Sequence, residues 1–230
     1  MTTKVLFSVI VLALIALGGW YFFLRSNDAS SKNEAATADA FATSAVTPGT
    51  YVVDPAKSTV SWRAKKPLIE GYINSGTIGV TEGSITVLDT EARGSFTIDI
   101  NTLNVGLTAK KPGKEGALEE HLKSDDFFDV TKYPTATFSI KEVVPGPDSP
   151  TTLVYSIRGD LTMKGRTNEI SFPAHIFLKE EALHAEAAFE IDRTKWDLTY
   201  GSGNFFQNLG DNLIDDMVAL SFEIVAAPTK

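Results

Sequence analysis

From Tyr51 to the C-terminus, apolar and polar residues alternate with a period of two. Leu153, Tyr155, Ile157, Gly159, Leu161 and Met163 share one side of a run whose other side is Val154, Ser156, Arg158, Asp160, Thr162 and Lys164. The next run sets Ile170, Phe172, Ala174, Ile176 and Leu178 on one face, and the intervening Gly165-Arg166 suits a tight hairpin turn. Leu183, Ala185, Ala187, Phe189 and Ile191 make a third face, against His184, Glu186, Glu190 and Asp192. Val218, Leu220, Phe222 and Ile224 make the last. Shorter runs come earlier: Val60-x-Trp62-x-Ala64, Phe96-x-Ile98-x-Ile100 and Ala136-x-Phe138-x-Ile140. The Glu82-Gly83 pair marks a hairpin between two further strands.

Strict alternation gives each strand one apolar and one wet face, the pattern of antiparallel sheet. Eight or more such strands do not remain one flat sheet. They close into a barrel or split into a sandwich. Only two brief helices fit the pattern, around residues 116–123 and 211–216. The inner face also carries small residues, Gly159, Ala174, Ala185 and Ala187, beside Phe172, Phe189 and Ile157. Either they accommodate strand twist and large rings opposite, or they leave a void that an apolar guest fills, since an empty one costs stability.

The N-terminus differs in kind. Residues 5–24, "VLFSVIVLALIALGGWYFFL", form a twenty-residue stretch without a charge, ending in Trp20, Tyr21, Phe22 and Phe23. That length matches the hydrocarbon thickness of a bilayer, and Trp and Tyr favour its interface. Residues 1–24 are therefore expected to be an uncleaved transmembrane anchor. Lys4 lies on one side and Arg25 and Lys32 on the other, so charge does not orient it. Residues 25–49 are rich in Ala, Ser and Thr and read as a flexible linker, with a span of roughly 25–30 Å. Residues 50–230 form the folded domain.

Charge and chemistry narrow the function. Lys4, Arg25 and Lys32 balance Asp28, Glu34 and Asp39, so the net charge of −8 falls entirely on the folded domain. Such a domain repels nucleic acid and is disfavoured for flat adsorption to a membrane. The absence of cysteine excludes disulfides, thiol catalysis and Cys-ligated zinc. No nucleophile elbow or phosphate-binding glycine loop occurs at a strand-to-helix junction. His175 and His184 fall on outer faces of neighbouring strands, where they could be cross-strand neighbours. His121 and Asp125 are too few ligands for a metal. No catalytic residue, metal or cofactor is expected, and the chain is not read as an enzyme.

One segment resists a generic reading. "EEHLKSDDFFDVTKYP", residues 119–134, is densely charged yet carries Phe127-Phe128. With its continuation, "LEEHLKSDDFFDVTKYPTATFSI" (118–140) closely resembles the signature of the YceI-like proteins. "IRGDLTMKGRTNEISFPA" (157–174), the segment 189–226 and the opening "YVVDPAKSTVSWRAKK" (51–66) resemble further parts of that family's pattern, in order. Arg193 is retained in the run Asp192-Arg193-Thr194-Lys195-Trp196-Asp197, where Trp replaces the family's usual Phe. Lys110, Lys111 and Lys114 stand where an Arg-rich loop is more usual.

The resemblance implies an all-β fold, a closed antiparallel lipocalin-like barrel of about eight strands. Its apolar pore would bind an isoprenoid or other long-chain lipid of quinone or polyprenyl type. It also implies an exported bacterial protein, with the barrel on the extracytoplasmic, periplasmic side and a role as membrane-tethered carrier or buffer. Expected pore-lining residues are Trp62, Phe127, Phe128, Phe138, Tyr155, Ile157, Leu161, Phe172, Phe189, Ile191, Phe205 and Phe222. Arg158 and Arg193 are head-group candidates, and Lys110 and Lys111 are further groups that could meet a pyrophosphate. Expected partners are the lipid and, through the anchor, a membrane, with a homodimer left open. The alternatives are a self-filled barrel acting as a structural or stress-response domain and, third, an enzyme acting on a lipid held in the pore.

Overall fold

The computed structural model describes residues 46–88, 91–146 and 153–229. The expected anchor and nearly all of the linker lie outside them. Among the described residues no helix is long and apolar enough to cross a membrane.

Nine strands account for most of the described residues: β1 (Gly49–Val53), β2 (Thr59–Lys65), β3 (Ile73–Val87), β4 (Ala92–Thr108), β5 (Thr135–Pro145), β6 (Val154–Met163), β7 (Arg166–Lys179), β8 (Ala182–Asp192) and β9 (Met217–Pro228). One helix, α1 (Glu115–Lys123), lies between β4 and β5. Strands β2 to β9 pair antiparallel in chain order, and β9 returns to β2 with Trp62 opposite Leu220, so the sheet closes. β1 and β2 run in line as one interrupted stave, pairing with different parts of β3 and β9. At the break the Ser58 hydroxyl takes a backbone's place, accepting the Val225 N–H at 3.0 Å. The result is a barrel of eight staves in which closure removes the sheet's edges. The patterning had left barrel and sandwich open; the β9–β2 pairing makes it a barrel. Every strand pairing closes between Gly49 and Pro228, within the compact unit Ser44–Lys230.

The barrel has two unlike ends. The β3–β4, β5–β6 and β7–β8 connections lie at one, called the upper end. At the lower end are the β2–β3 turn, the segment from β4 through α1 to β5, the β6–β7 turn, and the long connection 193–216.

Local chemistry corrects three expectations. Glu82-Gly83 is not a hairpin turn but lies inside the fifteen-residue β3, at a register shift between Val80 and Glu82. The turn comes later, where the Leu88 N–H meets the Glu91 carbonyl at 2.8 Å. An acidic residue before glycine serves a bulge as readily as a turn, because both need local freedom of the backbone. The β6–β7 turn centres on Lys164 and Gly165, both with positive φ (49° and 71°), one residue earlier than expected. This conformation matches the right-handed twist of the flanking strands, and Gly adopts it without a Cβ penalty. The helix expected around 211–216 is a single 3-10 turn at Gly210–Asn212.

Candidate ligand-binding pore

Because alternate residues point inward, the strand faces identified by their period converge on the barrel interior. That interior is not filled. It holds two chambers of about 530 Å³ each, and Val60, Ile98, Leu161 and Leu220 line both, forming a waist between them.

The upper chamber is almost wholly apolar. Phe172 and Phe189 stack at 4.2 Å with their planes 6° apart, while Phe138 and Phe222 each stand 5.6 Å from Phe172. Tyr155, Ile157, Ala174 and Ala185 complete much of the wall, and Glu91 is its single carboxylate. The small residues divide between the two explanations. A Cβ on Gly159 would fall 2.6 Å from the Phe138 ring and 2.4 Å from the Ser139 carbonyl oxygen, so Gly159 makes room for a ring. Ala174 and Ala185 instead border the empty volume.

The lower chamber is walled by Trp62, Ile100, Leu103 and Ile191, with α1 and the segment after it at its end. Glu119 ties α1 to the barrel by accepting the Val105 N–H at 3.2 Å, and it pairs with Lys123 at 2.8 Å. The hydrogen bond from Lys123, with that from Val105, holds the Glu119 carboxyl below the usual carboxylate range. After the helix, Ser124 and Asp129 close a tight excursion through the Asp129 N–H to the Ser124 carbonyl at 2.8 Å. This turns Phe127 inward to 7% exposure, against His121 (5.1 Å) and Tyr200 (5.0 Å). Phe128 also borders the chamber and is half-buried. Asp125 and Asp126 remain in water. The two rings in the charged segment thus belong to the wall of the lower chamber.

Of the twelve residues expected in the pore, eleven line one chamber or both. Phe205 does not: it is 57% exposed on the 193–216 connection, outside either cavity. Its glycine-rich surroundings gave no alternation from which to place it. Arg158 borders neither chamber. It lies on the outer face, held by Glu142 at 2.9 Å and Glu169 at 3.1 Å. Arg193 does reach the lower chamber, but its guanidinium is consumed by structure. It donates to the carbonyls of Asp215, Leu198 and Ile214 and pairs with Asp216 at 3.3 Å. Asp216 in turn accepts from Ser202 and Asn204, so Arg193 staples the 193–216 connection across the lower end. Burial pulls its pKa down and the nearby Asp216 opposes that.

The histidines also find ordinary partners. His175 and His184 are not cross-strand neighbours: they pair with Glu186 and Phe177, and Phe177 sits between their rings. His121 meets Asp126 at 3.1 Å rather than Asp125. The alternation overlooked the polar part of the lower chamber: Lys65, Lys66, Lys111, Lys114 and Asn74 all line it. All but Lys65 and Asn74 lie outside strands, where no period marks the inward side. Two buried polar atoms in this wall, Trp62 Nε1 and Asn74 Oδ1, have no hydrogen-bond partner.

Comparison with known proteins agrees with this architecture. The YceI-like domain family matches residues 51–226. Several solved structures share the fold. Burkholderia cenocepacia BcnA is 22% identical with a TM-score of 0.56, over 76% of this chain and 99% of its own. A polyisoprenoid binding domain from Saccharophagus degradans, implicated in plant cell wall breakdown, is 16% identical with a TM-score of 0.57, over 80% of this chain and all of its own. No curated protein matches.

Proposed function

Because the chain belongs to the YceI-like domain family, we propose that its barrel holds an isoprenoid or comparable long-chain lipid and serves as a carrier or buffer for it. The observation that carries this reading is the pair of apolar chambers meeting at a waist inside a closed barrel. A native core is packed close to the density of an organic crystal, so unfilled apolar space of this size calls for an occupant. Each methylene transferred from water contributes roughly 0.8 kcal/mol, so a polyprenyl tail binds well with few polar contacts. The polyisoprenoid-binding structure of the same fold supports the choice of lipid class.

The proposal extends to the N-terminus. Residues 1–24 anchor the chain in a membrane, and the linker holds the barrel beside it on the extracytoplasmic side. The role is storage or transfer, and no bond is made or broken.

The test is organic-solvent extraction and mass spectrometry of residues 46–230, purified from a bacterial host without detergent. A quinone or polyprenyl species near one per barrel is expected. An empty extract, repeated after incubation with isoprenoid-containing vesicles, would leave a non-binding structural or stress-response domain as the correct reading.

A further inference from the structure

Among the described residues, the lower end combines two features. The first is charge. The segments 65–72 and 109–114 hold Lys65, Lys66, Lys110, Lys111 and Lys114 against one carboxylate, Glu70, in a protein whose net charge is −8. The fold brings the two segments together. The Lys110 side chain lies across Gly71, 3.4 Å from where a Cβ would stand, and the Ala109 N–H meets the Ile73 carbonyl at 3.0 Å.

Nearby acids cancel this cluster only in part: Asp215 pairs with Lys65, and the exposed Asp125 and Asp126 follow α1 at the same end. Of the carboxylates on the 193–216 connection, Asp197, Asp215 and Asp216 are paired with Arg166, Lys65 and Arg193. Glu115 is held by the Thr108 hydroxyl. Asp211 remains, and its backbone carbonyl takes the Lys66 ammonium at 2.8 Å. Among the described residues Lys110, Lys111 and Lys114 form no ion pair. Lys111 and Lys114 also stand just before the positive end of α1, whose N-cap is Lys114 itself, without a side-chain cap. Cations are disfavoured there unless an anion is close. Burial first, and then the charge of Lys111, lower the Lys66 pKa, while Asp211 opposes them.

The second feature is exposed apolar surface. Leu68 (63% exposed), Phe205 (57%), Phe206 (49%) and Leu107 (45%) all lie at or beside this end. Leu68 is in the β2–β3 turn, and Phe205 and Phe206 sit on the connection that Arg193 staples down. Large apolar groups held in water beside unpaired lysines are the two components of attachment to an anionic bilayer: acyl-chain insertion and attraction to the lipid charge.

We propose that the lower mouth docks on the surface of an anionic lipid bilayer, with Leu68, Phe205 and Phe206 entering the interface and the unpaired Lys110, Lys111 and Lys114 facing the lipid head groups. The lower chamber, which Lys111 and Lys114 also border, then opens toward the bilayer, giving a lipid a route between membrane and barrel that avoids water. Docking does not depend on the identity or presence of a cargo.

Vesicle co-sedimentation of residues 46–230 tests it, with circular dichroism melts confirming that each variant is folded. The expected result is binding to phosphatidylglycerol-containing vesicles, little to pure phosphatidylcholine vesicles, and loss of binding as salt rises and the Debye length falls below about 10 Å. Replacing Lys110, Lys111 and Lys114 by Gln should weaken binding on the order of a hundredfold, at roughly fivefold per lysine. Phe205→Ser with Phe206→Ser should weaken binding while leaving the salt dependence as it was, and Val144→Ser at the upper end should change nothing. Absence of binding to anionic vesicles at low salt overturns the proposal without any variant. So does equal binding to both compositions, or an unaffected triple-lysine variant. Lipid in the extraction experiment with no vesicle binding would refute docking alone, and vesicle binding with an empty barrel would refute the carrier alone.

Discussion

Ala185→Leu separates a hollow barrel from a filled one by the sign of its effect. Ala185 borders the upper chamber from β8, with Ile176 and Ile224 as its cross-strand neighbours. In a packed core, three added carbons would force neighbours off their rotamers and cost about 1–3 kcal/mol. In a chamber of about 530 Å³ they have space, and at roughly 0.8 kcal/mol per methylene they stabilise the empty protein by up to about 2 kcal/mol. For a domain of this size each kcal/mol shifts the melting temperature by about 2–4 °C, so the lipid-stripped variant should melt a few degrees higher. The same atoms take space from the guest. Losing contact with about three methylenes weakens lipid binding by about 2 kcal/mol, close to thirtyfold. The assay is a thermal melt of the stripped domain together with a titration of a polyprenyl lipid followed by intrinsic tryptophan fluorescence. A lower melting temperature with no measurable lipid binding in either protein would mean that the chamber takes no guest, and the argument for a carrier would fail.

Phe127 and Phe128 should separate in the same assays: Phe127→Ala removes a ring that is 7% exposed and should cost about 3–5 kcal/mol, seen in urea melts. Phe128→Ala, at a half-buried position beside the chamber, should lower lipid retention more than it lowers the melting temperature. Arg193→Met should destabilise by about 3–5 kcal/mol, because it leaves Asp216 and three carbonyls without their shared donor; an unchanged urea midpoint would show that the staple is dispensable. Arg158→Ala, on the exposed outer face, should leave both melting temperature and extracted lipid as they are, and any loss of lipid would restore it as a head-group residue.

Much of the barrel was legible because a strand half-exposed to water must alternate. The faces containing Phe172, Phe189 and Phe222 were read from period alone, and they meet at centroid distances of 4.2–6.2 Å. Local composition also located α1 and the β6–β7 turn to within a residue. Period carries no information where the chain leaves the sheet. Phe205 was therefore expected inside the pore, and Arg193 was expected to meet a head group although its donors hold the lower end together. Glu82-Gly83 shows a related limit: turn and bulge demand the same backbone freedom, and only the partner strand distinguishes them.

What the sequence alone determined was the set of inward faces and the character of the domain, because alternation is a local response to water on one side. Only the tertiary structure decided that these faces enclose open space rather than fill it, since that depends on how side chains from eight staves meet. It also decided the meaning of the charge. A net of −8 describes the domain as an average and argues against anionic surfaces, yet chain folding gathers five lysines from two separated segments at one mouth. Electrostatic attraction falls off within about 10 Å at moderate salt, so the local arrangement governs what that mouth meets, and the total does not.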